Sequence, residues 1–144
     1  MRRHFLSLLG GGVLAGMLVS APALAAEPTK VVYHMVDGLD QATRGMGNIR
    51  NHLRADPEAK IVVVAHGEGI NFLLEGAKDR NGRPFDAAIA ALASQGVEFL
   101  VCDNTLQARN IPASKLVLEA RVVPAGVVEV ANLQFKQHYA YLRP

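Results

Sequence analysis

A single cysteine, Cys102, is the entire thiol complement of this 144-residue chain, so an internal Cys-x-x-Cys redox couple is excluded. Serine is nearly as scarce. Beyond residue 25 only Ser94 and Ser114 remain, and neither sits in a Gly-x-Ser-x-Gly elbow, which argues against a serine hydrolase. There is no Gly-x-x-x-x-Gly-Lys loop to cradle phosphates, leaving phosphoryl transfer without support. Gly67-Glu68-Gly69 opens like a dinucleotide fingerprint, but Phe72 stands at the third glycine position. Without that glycine a helix cannot pack close to its strand, and the motif fails. No cofactor is expected.

The start of the chain carries a different kind of information. Arg2 and Arg3 form a charged segment, Leu8 to Val19 is apolar and loosened by glycines, and Ala23-Leu24-Ala25 is a small-x-small cleavage site. The apolar stretch falls short of the ~20 residues that span a bilayer. Residues 1–25 therefore read as a cleaved export signal, leaving no membrane anchor. Arg2-Arg3-His4-Phe5-Leu6 is similar to a twin-arginine signal, although general secretion is the alternative. Both routes lead out of the cytoplasm, in a bacterium to the periplasm.

Removing Arg2 and Arg3 leaves 13 basic against 13 acidic residues. The mature chain thus has no electrostatic footprint for nucleic acid or an anionic membrane. Its roughly 119 residues suit one domain, 26–144, and show no internal repeat or linker.

Within that domain, apolar runs alternate with helical stripes. Lys30 to Val36 and Ile61 to Ala65 read as strands buried on both faces, the second ending at His66-Gly67. Between them Leu39, Ala42, Met46, Ile49 and Leu53 recur at helical spacing. Ile70, Leu73, Leu74 and Ala77 predict a second helix, and Phe85, Ala88, Ile89 and Leu92 a third. Val97 to Cys102 predicts a strand, Leu106 to Ile111 a short helix, and Arg121 to Val123 a fourth strand. Val127 to Phe135 is rich in β-branched residues, yet the alternation around it argues for a helix with Val128, Ala131 and Phe135 inward. His138 to Leu142 completes five strands. The expected fold is a three-layer α/β/α sandwich on a five-stranded parallel sheet.

In such a sheet the carboxyl ends of the strands are where ligands bind. Cys102 ends strand three and His66 ends strand two, which places both along one edge. An imidazole beside a thiol can take its proton, and the thiolate is the nucleophile. The helix after Cys102 adds the partial positive charge of its N-terminus. An exported protein ordinarily pairs its cysteines, so an odd thiol stands out. The bland alternative is a small buried core residue. His34, inside strand one, reads as a core histidine, and Tyr139 and Tyr141 as packing or interface residues. A metal site of His66, Glu68 and Cys102 has no spacing to specify it, and none is expected.

The run Gly96-Val97-Glu98-Phe99-Leu100-Val101-Cys102-Asp103-Asn104-Thr105-Leu106-Gln107-Ala108-Arg109 resembles the cysteine region of DsrE/DsrF/TusD-like proteins. Val63-Val64-Ala65-His66-Gly67, Val123-Pro124-Ala125-Gly126 and Tyr139-Ala140-Tyr141 extend the likeness over the mature domain. The resemblance implies adjacent strands two and three, homotrimers or homohexamers, and a cysteine that carries sulfur as a persulfide. It puts Cys102 at the sulfur-carrying position and His66 beside it. Asn104, Thr105, Arg109 and Gly67 become the residues that bind or orient the sulfur species. The partner would be an unknown sulfur donor or acceptor, because the relays of the family are cytoplasmic whereas this chain bears an export signal. A non-catalytic oligomeric ligand-binding module and a thiol redox sensor are the rival readings.

Overall fold

The structure, a computed structural model, describes residues 26–144; the export segment lies outside the described residues. Five strands form one parallel sheet in the order β4-β3-β2-β1-β5: β1 Lys30–Met35, β2 Lys60–Ala65, β3 Glu98–Cys102, β4 Ala120–Val123 and β5 Ala140–Leu142. The chain crosses between strands through α1 Leu39–Ala55, a 3-10 helix Gly67–Leu73, α2 Asp86–Ala93, α3 Asp103–Ala108, a 3-10 turn Ala113–Lys115 and α4 Gly126–Gln137. This is the expected five-stranded parallel α/β architecture.

Strand alternation divides the core in two. Val31, Tyr33, Met35, Ile61, Val63, Phe99 and Val101 face α1, the first 3-10 helix and α2. Val32, Val62, Val64 and Leu100 face α4 and pack on Val130 and Leu133. Among the described residues, one face of the sheet is thus covered by several elements and the other by α4. Truncating a fully buried member of the larger core, such as Ile49, would cost about 2–5 kcal/mol.

Three local expectations are corrected. The segment after β2 is a 3-10 helix rather than an α-helix. Gly69 explains its closeness to β1, since a Cβ there would overlap the Met35 carbonyl. The short helix near Leu106 starts directly at Asp103, with Cys102 as its N-cap residue. In α4 the inward residues are Gly126, Val130 and Leu133, whereas Val128 is 55% and Phe135 84% exposed. The stripe Val128, Ala131, Phe135 is real in its spacing but faces away from the sheet.

Candidate functional site around Cys102

Cys102 closes β3 beside Gly126, the first residue of α4, and only 6% of its surface is exposed. The β2–β3 pairing runs Val64↔Leu100, Ala65↔Val101, and its next step brings His66 opposite Cys102. Neighbouring strands lie about 4.8 Å apart, so the two residues are lateral neighbours. The N-terminus of α4 presses onto both. An ideal Cβ on Gly126 would stand 3.2 Å from the Cβ of Cys102 and 3.2 Å from that of His66. Glycine is what lets the helix start this close.

Thr105 and Arg109 fasten the opposite wall. The Gly67 N–H donates to Thr105 Oγ1 at 3.0 Å, and Arg109 donates to the Gly67 carbonyl at 3.1 Å. Gly67 itself has φ 57°, a left-handed conformation that glycine adopts without steric cost. His66, Gly67, Cys102, Asn104, Thr105 and Arg109 line one open depression of about 340 Å³, completed by Ala108, Ala125 and Val127.

The electrostatics of Cys102 are a contest. Burial pushes the thiol pKa up, while hydrogen bonds from the Gly126 N–H, the Thr105 hydroxyl and the Thr105 and Asn104 N–H groups pull it down. The donors prevail, and the pKa lies below that of an ordinary thiol. Thr105 serves two purposes, its oxygen accepting from Gly67 while its proton is free to donate to sulfur. Donors aimed at a thiolate are the usual means of making cysteine nucleophilic at neutral pH.

His66 is not alone. Its Nε2 lies 2.7 Å from His34 Nε2, and His34 Nδ1 lies 2.7 Å from the Tyr141 hydroxyl. Burial, and then the charge of Arg143, lower the His66 pKa. Burial, His66 and Arg143 lower that of His34 against an opposing pull from Asp37. Both shifts favour the neutral form of the rings. Arg143 is held by Asp37, with contacts of 2.8 Å to each carboxylate oxygen. Buried Gln41 accepts from the Val36 and Asp37 N–H groups and donates to the His34 carbonyl, bracing the end of β1.

All six residues singled out from the sequence thus gather in one place. Sequence reasoning missed Gly126, Gln41 and the histidine partners. His34 is half-buried and hydrogen-bonded to His66 rather than sealed in the core, and Tyr141 reaches it from the neighbouring strand. Glu68 is exposed and engaged by Asn71, and among the described residues no His/Cys/Asp/Glu group could hold a metal ion. Depressions elsewhere, around Asp79–Arg83 and Asp40–Arg80, have these charges committed to ion pairs.

The model of the DsrE/DsrF-like family matches residues 22–144. The chain belongs to this family. Its fold matches that of a protein of unknown function, MTH1491 from Methanobacterium thermoautotrophicum, with TM-score 0.71 and 29% identity over 81% of this chain and 99% of that one. The ychN protein from E. coli also shares the fold, with TM-score 0.65 and 15% identity over 82% of this chain and 100% of that one. No curated protein matches the sequence. Membership in the DsrE/DsrF-like family suggests a function of the sulfur-relay kind.

Proposed function

We propose that this protein carries sulfur as a persulfide on Cys102. The observation that supports this reading best is the set of donors converging on a buried-edge thiol within an open depression. With thiosulfate as donor, the thiolate attacks the outer sulfur. A Cys102 S–S bond forms, the S–S bond of thiosulfate breaks, and sulfite leaves with the bonding electron pair. The donors that hold the thiolate would hold the terminal persulfide sulfur less well, since it stands one atom further out. There the remaining N–H groups of Arg109 and the side chain of Asn104 are available to bind it. His66, neutral and lateral to Cys102, is the base for the thiol proton.

The test is loading. Incubation with thiosulfate or polysulfide adds sulfur that dithiothreitol removes, and Cys102→Ser takes up none. A wild-type protein that gains no sulfur would falsify the carrier function and favour a ligand-binding module.

The carrier acts in the periplasm as a homo-oligomer. Export is supported by Arg2-Arg3 and Ala23-Leu24-Ala25; the recovered protein should begin at Ala26 or one residue later, and a periplasmic fraction lacking it argues against export. Self-association is supported by the exposed stripe Val128, Ala131 and Phe135 on the outer side of α4. Sedimentation at micromolar concentration should show an oligomer that Phe135→Asp dissociates. A wild-type monomer contradicts it.

A further inference from the structure

The three side chains Tyr141, His34 and His66 form a continuous hydrogen-bonded chain, each link 2.7 Å long. A neutral imidazole holds one proton on its two nitrogens, so the links are not independent. In one arrangement the Tyr141 O–H donates to His34 Nδ1, His34 Nε2–H donates to His66 Nε2, and His66 keeps its proton on Nδ1. In the other, His66 Nε2–H donates to His34 Nε2, His34 Nδ1–H donates to the Tyr141 oxygen, and His66 Nδ1 is an open acceptor. The arrangements interconvert only when a proton moves along every link. The inner end lines the Cys102 depression. The outer end, Tyr141, is 39% exposed and reaches water.

We propose that Tyr141, His34 and His66 form a proton relay between the Cys102 depression and solvent at the C-terminal strand. It rests on the reading of His66 as the base for Cys102. The thiol gives its proton to His66 Nδ1 and keeps the bonding electron pair as thiolate. His66 Nε2–H passes to His34 Nε2, His34 Nδ1–H passes to the Tyr141 oxygen, and the Tyr141 proton leaves to water. No ring ends the step charged. The charged groups facing the rings agree with this. Arg143 opposes an imidazolium on either ring, and Asp37, which favours one on His34, is itself paired with Arg143. A proton accepted there is passed on rather than stored. Gln41 fixes the His34 backbone, and the Arg143–Asp37 pair ties the tail after β5 to the turn after β1. His34 and Tyr141 are positioning residues in this scheme, acting on Cys102 only through His66.

The experiment measures thiosulfate loading over a pH series that reaches below the alkylation midpoint of Cys102, where the thiol is protonated, alongside side-chain ¹⁵N NMR of the histidines. Tyr141→Phe keeps the ring and removes one hydroxyl, and it should shift the tautomer populations of His66, a residue it does not touch. His34→Gln can still hydrogen-bond but cannot hand a proton from one nitrogen to another. Both variants should slow loading about tenfold or more, within the usual reach of general acid–base catalysis. The solvent deuterium effect seen in wild type should shrink in both. In unmodified protein the two imidazoles should titrate as one unit, a readout that needs no variant. Unchanged His66 tautomers in Tyr141→Phe, or shifted tautomers with unchanged loading, overturn the relay. Undiminished loading in His66→Gln overturns instead the assignment of the base, and loading that survives Cys102→Ser overturns the carrier reading itself.

Discussion

Gly126→Ala separates the stability of this fold from the reactivity of its thiol. The new methyl would lie 3.2 Å from two Cβ atoms and 3.5 Å from His66 Cδ2. Both close neighbours are anchored at strand ends, so α4 must withdraw by a few tenths of an ångström. Overpacking of this kind costs about 1–3 kcal/mol. Replacing glycine at a compatible backbone position returns about 0.4–1 kcal/mol through the unfolded chain. The net destabilisation should be about 1 kcal/mol, small enough to leave the protein folded.

The thiol should respond more selectively. A hydrogen bond to a charged group contributes about 1.5–3 kcal/mol, and a partial withdrawal of the Gly126 N–H would forfeit about half of it. A loss of about 1 kcal/mol lowers the thiolate population at fixed pH roughly fivefold, at ~1.36 kcal/mol per tenfold change. The assay is the rate of iodoacetamide alkylation as a function of pH, whose midpoint should move upward. Gly47→Ala is the internal control. Gly47 lies inside α1 with nothing closer to its would-be Cβ than the Arg50 guanidinium at 3.9 Å. Alanine there should stabilise by up to about 1 kcal/mol and leave the alkylation profile alone. A Gly126→Ala profile that overlays wild type would show that the α4 amide does not hold the thiolate.

Thr105→Val should lower both stability and reactivity, because it leaves the Gly67 N–H without its acceptor and removes a donor to sulfur; denaturant melts should show a loss of about 1–3 kcal/mol. Stability should also fall with acid. His34 and His66 have folded pKa values below the ordinary histidine value, so the unfolded chain binds more protons once the pH drops below ~6.5. The histidine contribution is therefore undiminished above that pH and lost as the pH falls toward the folded values. Melts at stepped pH should show this slope flattened in a His34→Gln/His66→Gln double variant, and an equal slope in both proteins refutes the assignment. Asp37→Asn should barely change stability, since its pair with Arg143 is half-exposed and such pairs contribute about 0–1 kcal/mol. It should nevertheless depress the His34 titration seen by NMR, because it removes the one charge that favours the protonated ring.

What the sequence could reveal of this site depends on how far apart in the chain the interacting parts lie. Buried parallel strands advertise themselves as apolar runs, and consecutive strands tend to be neighbours. The edge shared by His66 and Cys102 is therefore legible in the sequence. His34 was not, because its partner Tyr141 arrives on β5, which pairs with β1 from the far end of the chain. No local pattern signals that pairing. Without it a histidine inside an apolar run looks like a core residue. Gln41 is hidden for a related reason, since a glutamine on an apolar helical stripe gives no sign that its amide braces the preceding turn.

The rotation of α4 about its own axis differs from what its hydrophobicity predicts. Its apolar residues form two stripes, Gly126-Val130-Leu133 and Val128-Ala131-Phe135, both at helical spacing. Hydrophobicity alone favours the second, which holds the large aromatic ring. The first wins because the helix must begin where only a residue without a side chain fits, against Cys102 and His66. Once Gly126 is seated there, the helical repeat brings Val130 and Leu133 onto the sheet and leaves Phe135 outside. A glycine that opens a helix beside a strand-end cysteine is thus a phase marker. The close approach of Gly126 to Cys102 and His66 sets the rotation of the helix, and the second apolar stripe is left on its outer side.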